Sequence, residues 1–504
     1  MKRQAYNPYL PAWEYIPDGE PRVFGDRLYI FGSHDRFGAE GYCENDYVAW
    51  SAPVEDLSDW RYEGVIFRKD QTPWNTRNQV YYAPDCVQGP DGRYYLYYFV
   101  VNSSIISVAV CDKPAGKYEY LGDVSLPDGH AYGTKSEEWF TFDPAVLVDD
   151  DRRIWLYTGS SQPENGQYGH EIKGCFVMEL AADMLTVISK PQILLPAKWV
   201  YTEPNFFEGA SIRHIGEWYY LVYPATNMTG LNYSMSRFPD RDFVHKGAIH
   251  CSSNIGYQGR SLMQASYPIG NSHGGLVCIK GQWYIFDHRV TNGSPFSRQG
   301  VAEKITIHPD GTIDMVESTS CGLNDGPLKG SGTYPAYIAC VLMGETAGEM
   351  LNPMEMTGPC VTQDGPDYDP PKPEGAEING ETEKDAPVSY ITGLEDGSQA
   401  GYKYFDMTNT RHLSVVSRGA GGKLEILNGE SGEAVAEILL SQSDDWAVSE
   451  TDFMPERIVA ERTDIAVSRC PLFLRYQGEG SIDILEFTLS YEDRGHESRK
   501  NCIE

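Results

Sequence analysis

The fold is decided by residues 18–33, which read Asp18-Gly-Glu-Pro-Arg-Val-Phe-Gly-Asp-Arg-Leu-Tyr-Ile-Phe-Gly-Ser33. In this segment two short apolar strands flank a tight polar turn, which is the pattern of a β-hairpin. The same order of a short polar start, an apolar strand, a polar turn and an aromatic-rich strand returns at 84–98, 143–157, 208–223 and 273–286. The repeat interval of about 60 to 65 residues is long enough for a four-stranded blade, so five copies predict a five-bladed β-propeller.

The chain divides into a propeller and a second module. Residues 1–325 hold the five repeats. Residues 326–387 are dense in Pro, Gly and acidic residues, and we expect a loop-rich connection that includes the start of a C-terminal module. Short alternating strands resume over 388–492 and predict a β-sandwich of jelly-roll type, followed by a polar tail at 493–504. The predicted fold class is therefore all-β.

The charge and the cysteines limit partners and location. The chain has 72 acidic and 41 basic residues, a net charge of −31, which argues against nucleic acids and anionic membranes because both are polyanions. No stretch of about 18 apolar residues is present, so no membrane span is expected. Eleven cysteines without a CxxC pair, and an N-terminus without an apolar signal region, favour free thiols and a cytoplasmic location. Nothing in the sequence indicates an oligomeric state.

Three repeats begin at carboxylates: Asp18, Asp143 and Glu208. In a propeller these starts surround the central channel, so the three side chains are expected to converge. Glycoside hydrolysis needs one ionised carboxylate to activate water and one protonated carboxyl group to donate to the leaving oxygen. A single Asp before Pro or Gly is common in turns, but Glu208 lies between Phe207 and Gly209, where an unpartnered carboxylate would be costly.

A family resemblance covers residues 6–320 and is carried by segments in repeat order. They are Asn7-Pro8 with Asp18 to Asp35, Ala83-Pro84-Asp85, Phe142-Asp143-Pro144 with Tyr157-Thr158-Gly159, Phe206-Phe207-Glu208-Gly209, and Ser272-His273-Gly274 with Trp283 to Arg289. In these segments the chain resembles glycoside hydrolase family 43, in its arabinoxylan-active branch. The resemblance implies an inverting enzyme that requires no cofactor and acts on an oligosaccharide.

The same resemblance implies roles for the three carboxylates. Asp18 would be the general base, Asp143 would raise the pKa of the acid and orient it, and Glu208 would be the general acid. Inversion implies base and acid carboxyl groups roughly 6.5–9.5 Å apart, with room for a water molecule. Many members have Asp-Pro where this chain has Asp18-Gly-Glu20-Pro21, which leaves Glu20 as a rival base.

Five further residues receive expectations from the resemblance. His34, Asp35 and Asp85 would line the subsite for the terminal sugar, or would instead bond to backbone at the hub. Arg289 would reach the sugar or steady Glu208, with a surface salt bridge as the alternative. His273 is similar to a hub histidine that helps to hold a hydrated structural calcium ion through water, and a metal-free channel histidine is equally compatible with the sequence.

The C-terminal module weakly resembles a family 6 carbohydrate-binding module over residues 334–492. Trp446 and Tyr402 could stack on a sugar ring or belong to the sandwich core. The usual Ala-Glu-x-Tyr start is absent, so no ligand or calcium site is carried over. The module could also pack on the propeller and shape the edge of the pocket.

The sequence thus favours an exo-acting, inverting glycosidase that releases terminal α-L-arabinofuranosyl or β-D-xylosyl residues from plant-type oligosaccharides. An exo-furanosidase for another sugar, such as β-D-galactofuranose, is an alternative within the enzymes. A non-catalytic sugar-binding propeller is an alternative of another class. The sequence does not distinguish exo from endo cleavage, because the loops between blades decide that.

Overall fold

A computed structural model describes residues 4–163, 168–198, 203–344, 356–368, 385–460 and 464–491. The predicted polar tail at 493–504 and a large part of the predicted connection at 326–387 lie outside these ranges. Within them the regular structure is almost entirely β-strand, which confirms the predicted all-β class. A five-bladed propeller is followed by a β-sandwich.

In the described residues, four blades have four antiparallel strands and the fifth has three. The strands are β1 (Glu20–Phe24), β2 (Arg27–Phe31), β3 (Tyr47–Pro53) and β4 (Arg61–Phe67); β5 (Asp85–Gln88), β6 (Tyr94–Phe99), β7 (Ile106–Cys111) and β8 (Glu119–Asp123); β9 (Ala145–Val148), β10 (Ile154–Ser160), β11 (Gly174–Leu180) and β12 (Gln192–Pro196); β13 (Ser211–Ile215), β14 (Trp218–Pro224), β15 (Leu231–Ser236) and β16 (Val244–His250); β17 (Leu276–Ile279), β18 (Gln282–Thr291) and β19 (Ser294–Ile305). The first strand of each blade is innermost, so the five first strands surround the channel.

The tight turns that the repeats predicted join the first two strands of each blade. Between β17 and β18, Lys280 has φ 51° and Gly281 has φ 83°. Two positive φ angles are typical of the type I′ turn, whose twist matches that of the flanking strands. A glycine in one of the two positions makes this backbone accessible at low cost.

In the fifth blade the N-terminal segment lies beside β19 in place of a fourth strand. The backbone N–H of Tyr9 donates to the Gly300 carbonyl at 3.3 Å. The Asn7 side chain donates to the carbonyls of Ala302 and Thr319, both at 3.0 Å. The start of the chain therefore covers an edge strand that would otherwise be open.

Each interface between neighbouring blades has its own apolar cluster. Large aromatic rings fill these clusters, including Tyr98, Phe99, Tyr157, Tyr223, Tyr233 and Phe286. The abundance of tyrosine is thus explained mainly by packing between blades. This packing holds the blades in place around the channel.

The sandwich consists of two sheets that face each other across one core. The first contains β20 (Leu328–Lys329), β22 (Val341–Met343), β25 (Gln399–Asp406), β27 (Gly422–Leu427), β28 (Ala434–Leu440) and β30 (Cys470–Gln477). The second contains β21 (Gly332–Pro335), β23 (Cys360–Gln363), β24 (Ser389–Leu394), β26 (His412–Gly419), β29 (Ser443–Asp452) and β31 (Ile482–Ser490). One short helix, α1 (Pro455–Val459), precedes β30.

The sandwich therefore takes its first strands from the predicted connection. β20 to β23 have only two to four residues each, too short to produce a recognisable alternation. Tyr402 is fully buried in the sandwich core, so it cannot stack on a ligand. Trp446 is partly buried, and the Arg418 guanidinium covers its ring at 4.3 Å.

The ten cysteines in the described ranges are free thiols. The helices in those ranges are too short to cross a bilayer.

Candidate active site

A cavity of about 520 Å³ lies at one end of the propeller channel, and we call it the hub pocket. Residues from all five blades line it. Among them are Asp18, Asp143 and Glu208, the three carboxylates that begin repeats. The structure therefore brings these side chains together from three different blades.

Each carboxylate lies just before the innermost strand of its blade. Asp18 precedes β1, Asp143 precedes β9 and Glu208 precedes β13. Asp18 and Asp143 have positive φ angles of 58° and 38°, which are uncommon for residues other than glycine. Such backbone turns the side chain away from the course of the strand and into the pocket, and it is common at functional sites.

Asp18 is held among cationic and polar groups. Arg298 Nη1 lies 3.2 Å from its Oδ1, and the Asp18 backbone N–H donates to His288 Nδ1 at 3.1 Å. His288 Nε2 lies 3.2 Å from Asn271 Oδ1, so the ring is the neutral Nε2–H tautomer. Burial lowers the pKa of His288 to about 4. Burial alone would raise the pKa of Asp18, but the neighbouring groups together, with the charge of Arg298 contributing most, hold that pKa below its usual value.

Glu208 and Asp143 have the opposite electrostatics. Burial, together with repulsion by Asp18, raises the pKa of Glu208 to about 7, against the hydrogen bond from Gln162. Burial, followed by repulsion from Glu208 and Asp18, raises the pKa of Asp143 well above its usual value, and its Oδ1 has no hydrogen-bond partner. Because the two groups repel each other when ionised, the pair retains a proton near neutral pH.

His273 lies below the carboxylates in the channel. Its Nδ1 is 4.0 Å from Asp18 Oδ1 and 3.9 Å from Asp143 Oδ2. Gly209, with φ 58°, packs against the ring so closely that a Cβ atom there would lie 2.9 Å from Nδ1. A glycine after Glu208 is therefore needed for both the backbone turn and the close approach of His273.

Beneath His273 lie four charged residues, two of them buried and two partly buried, and we call them the channel network: Glu20 and Asp85, Arg22 and Arg213. Arg22 Nη2 lies 2.7 Å from each oxygen of Asp85. Arg213 Nη2 lies 2.7 Å from Glu20 Oε2. Each pair consists of one basic and one acidic side chain, so the network has no net charge. Glu20 lies in this network and not in the hub pocket.

The channel network does not fit the hydrated calcium ion that the resemblance implies next to His273. Calcium needs six to eight oxygen ligands. Both oxygens of Asp85 already accept bonds from Arg22, and one of them also accepts the Val146 N–H at 2.8 Å. Only Oε1 of Glu20 is without a partner. A divalent cation would meet one free carboxylate oxygen beside two guanidinium groups, so these four residues offer it no favourable site.

A group spaced for a metal ion lies elsewhere, at Asp149, Asp150 and His214. Asp149 already accepts bonds from His214 Nδ1 at 2.7 Å and from the Tyr219 hydroxyl at 2.6 Å. Asp150 is almost fully exposed. These internal bonds explain the cluster without an ion.

None of the four residues predicted to bind the sugar lines the hub pocket. Asp85 is buried in the channel network, and His34 bonds to Glu14 at 3.0 Å. Asp35 is fully buried against Arg298, which places it behind the pocket wall. Asp85 instead accepts the Val146 backbone N–H at 2.8 Å, which is the alternative of bonding to backbone at the hub.

Arg289 makes neither of the contacts predicted for it, with the sugar or with Glu208. Its guanidinium donates to the carbonyls of Ala339 and Tyr337, both at 2.6 Å. It therefore anchors the sandwich to the propeller and reaches neither the pocket nor Glu208. Neighbouring residues of a strand point to opposite faces, so His288 faces Asp18 while Arg289 faces the sandwich.

Arg298 is a pocket residue that the sequence analysis missed. Nε and Nη2 bond to the two oxygens of Asp35 at 2.8 and 2.9 Å, and the Tyr42 ring lies 4.8 Å from the guanidinium carbon. It follows the hairpin between β18 and β19, outside the repeat starts. The available signal was a lone arginine within a strand that is largely buried.

Comparison with known proteins agrees with this geometry. Residues 17–313 match the glycosyl hydrolases family 43. A xylosidase/arabinosidase from Thermoclostridium stercorarium is 43% identical over 507 residues, which cover 97% of this chain and 99% of the relative. A xylosidase/arabinosidase from Bacteroides ovatus is 25% identical over 346 residues, 61% of this chain and 97% of the relative.

A solved structure matches the fold of this chain over nearly its whole length. The family 43 arabinoxylan arabinofuranohydrolase from Bacillus subtilis, in complex with cellotetraose, superposes with a TM-score of 0.51 and 18% identity. The match covers 96% of this chain and 97% of that one. At this identity the likeness shows the fold alone. The resemblance of the sandwich to family 6 carbohydrate-binding modules stays a prediction, because the family match ends at residue 313.

A five-bladed propeller with carboxyl groups of opposite pKa shifts at its hub is the framework of an O-glycoside hydrolase. The family is shown by two matches: the family model covers more than half of the chain, and the 43% identical relative covers nearly all of it. The chain belongs to the glycosyl hydrolases family 43.

Proposed function

We propose that this protein is an exo-acting, inverting glycosidase that releases terminal β-D-xylosyl or α-L-arabinofuranosyl residues from plant-type oligosaccharides. The observation that carries the proposal is the pairing of opposite electrostatics at one hub. Asp18 has a lowered pKa and Glu208 has a pKa of about 7, while the 43% identical relative is named a xylosidase/arabinosidase.

The proposed chemistry is a single displacement at the anomeric carbon. Asp18, ionised and steadied by Arg298, accepts a proton from the attacking water molecule. Glu208, protonated near neutral pH, donates its proton to the oxygen of the leaving group. Burial and the charge of Asp18 keep Glu208 protonated. Asp143 and Glu208 repel each other when both are ionised, so the pair shares a proton near neutral pH, which is the modulating role proposed for Asp143. No metal is needed to balance these proton transfers.

The shape of the site supports action on a terminal residue. The channel network fills the propeller axis beneath His273, so the hub pocket has a closed floor. Phe142, Phe207 and Tyr82 contribute apolar faces to the wall, on which a sugar ring can pack. A closed, aromatic pocket suits one end of a chain better than its interior.

The test is a panel of aryl glycosides and natural oligosaccharides with wild type, Asp18→Asn and Glu208→Gln. We expect release from xylosides and arabinofuranosides, inversion of the anomeric centre by NMR, and a general-acid contribution of roughly 10²–10⁴-fold. Glu208→Gln should lose most on poor leaving groups, which need protonation, and little on dinitrophenyl glycosides. Equal loss on both would contradict the role of Glu208, and release of galactofuranose alone would refute the proposed sugar.

A further inference from the structure

The C-terminal sandwich reaches the rim of the hub pocket through residues 364–368, which follow β23. Their partner in the propeller is the loop between β2 and β3, residues 32–46, which we call the rim loop. Asp367 Oδ1 accepts the Phe37 backbone N–H at 2.8 Å, and Oδ2 accepts Asn45 Nδ2 at 3.0 Å. Both oxygens of one sandwich carboxylate are therefore used to hold a propeller loop at two points.

Two further contacts fix the sandwich at this place. The Tyr15 hydroxyl donates to Gln363 Oε1 at 2.8 Å. The rings of Trp13 and Tyr368 meet edge to face with centroids 4.9 Å apart. Asp367 is thus presented to the rim loop by a docked segment and not by an isolated side chain.

The rim loop carries two residues of the pocket wall, Tyr42 and Cys43. Tyr42 places its ring 4.8 Å from the guanidinium carbon of Arg298. The Cys43 N–H donates to Asp35 Oδ1 at 3.0 Å. The loop therefore contains Asp35 and contacts Arg298, the pair that lies beside Asp18.

A continuous set of hydrogen bonds runs from the sandwich to the proposed base. Asn45, held by Asp367, also donates through Nδ2 to the Asp35 carbonyl at 3.1 Å. The Asp35 carboxylate binds Arg298 at 2.8 and 2.9 Å, and Arg298 binds Asp18 at 3.2 Å. Each link joins groups that are buried or partly buried, where a lost partner is not readily replaced by water.

We propose that Asp367 is a positioning residue for catalysis: from the sandwich it fixes the rim loop, and through it the Tyr42 ring and the Asp35–Arg298 pair beside Asp18. The catalytic unit then includes the sandwich as well as the propeller. The kinetic test of this inference rests on the proposed function. The contact between Asp367 and the rim loop can also be tested without substrate, by hydrogen exchange.

The test compares Asp367→Ala and Asp367→Asn with Asp364→Ala. Asp364 is the matched control, because it lies three residues earlier in the same segment and accepts the Tyr390 hydroxyl at 3.0 Å within the sandwich. We expect Asp367→Ala to lower kcat/KM by roughly ten- to a hundredfold, since small displacements of positioned groups have effects of that order. Asp367→Asn keeps an acceptor for Phe37 and should retain more activity than the alanine variant.

The loss in Asp367→Ala should be the same for good and poor leaving groups, because the rim loop contacts groups beside Asp18 and not Glu208. Hydrogen exchange should rise in residues 36–46 of Asp367→Ala and stay unchanged in Asp364→Ala. Wild-type kcat/KM with unchanged exchange in Asp367→Ala, or an equal loss in Asp364→Ala, would overturn the inference. If wild type acts on no glycoside, the proposed function fails, and exchange alone then decides whether Asp367 holds the loop.

Discussion

Replacing Arg298 by methionine tests the assignment of the base most directly. The guanidinium is 2% exposed and bonds to two carboxylates, at 2.8 and 2.9 Å to Asp35 and at 3.2 Å to Asp18. Removing one partner of a buried ion pair typically costs about 3–5 kcal/mol, because the other charge is left uncompensated. Two carboxylates would remain here, so we expect a loss in the free energy of unfolding at the upper end of that range.

The same substitution should change the pH dependence in a defined direction. Arg298 holds the pKa of Asp18 below its usual value, so the pair adds stability above the unfolded pKa of Asp, and this is lost as pH falls through the lower folded pKa. Without Arg298, burial and the neighbouring carboxylates raise the pKa of Asp18. The acidic limb of kcat/KM should therefore move to higher pH.

The assay is kcat/KM against pH on an aryl xyloside, together with denaturant unfolding, for Arg298→Met and for Arg289→Met as the matched control. Arg289 is also a buried arginine of the β18–β19 hairpin, but its closest partners are backbone carbonyls of the sandwich attachment, with Gln299 Oε1 at 3.2 Å, and none of these three partners is a carboxylate. We expect a loss of about 1.5–3 kcal/mol for each charged hydrogen bond removed there, with an unmoved acidic limb. An unmoved limb in Arg298→Met, or the same shift in both variants, would refute the assignment of Asp18 as the base that Arg298 steadies.

Three further predictions follow from the hub. In wild type, kcat/KM on a substrate with a poor leaving group should fall as pH rises through about 7, because Glu208 must be protonated to act, and Glu208→Gln should lack this limb. Chelation with EDTA and addition of calcium should leave kcat unchanged, since the channel network offers an ion one free carboxylate oxygen beside two guanidinium groups; a chelator-sensitive rate that calcium restores would contradict this. Gly209→Ala should lower kcat by roughly tenfold or more, because its Cβ would displace His273 from its place next to Asp18 and Asp143. Gly216→Ala, with φ 63° and nothing within 4 Å of the added Cβ, is the control for backbone strain alone. Equal activities of the two variants would show that the position of His273 does not affect kcat.

The architecture was predictable because its signal is repeated. Five hairpins, each with a polar turn between an apolar and an aromatic strand, specify five blades before any one strand is certain. The order of the blades then places Asp18, Asp143 and Glu208 around one channel. The start of the sandwich was less visible, since β20 to β23 are short and take their partners from strands far along the chain.

The residues around the carboxylates were harder to predict, because their positions depend on strand faces and on pairing between distant segments. His288 and Arg289 are adjacent, and only the register of β18 decides which of them faces the hub. Arg298 reaches Asp35 and Asp18 across more than 260 residues. The sequence around Arg298 marks it as a lone arginine in its strand but does not indicate its distant partners, which are set by the packing of the folded chain.

The two levels of the channel explain why one hub can hold a base and an acid with opposite pKa shifts. Above His273, Arg298 lies next to Asp18, so one carboxylate is favoured in its ionised form while Glu208 and Asp143 are not. Below it, two acidic and two basic side chains cancel, and the floor adds no net charge that would shift all three carboxylates together. If Arg22 or Arg213 lost its charge, an unpaired carboxylate would face the hub and raise the pKa of the base as well as that of the acid. The neutral floor thus leaves the groups around Asp18, with Arg298 foremost, to separate the pKa of the base from that of the acid.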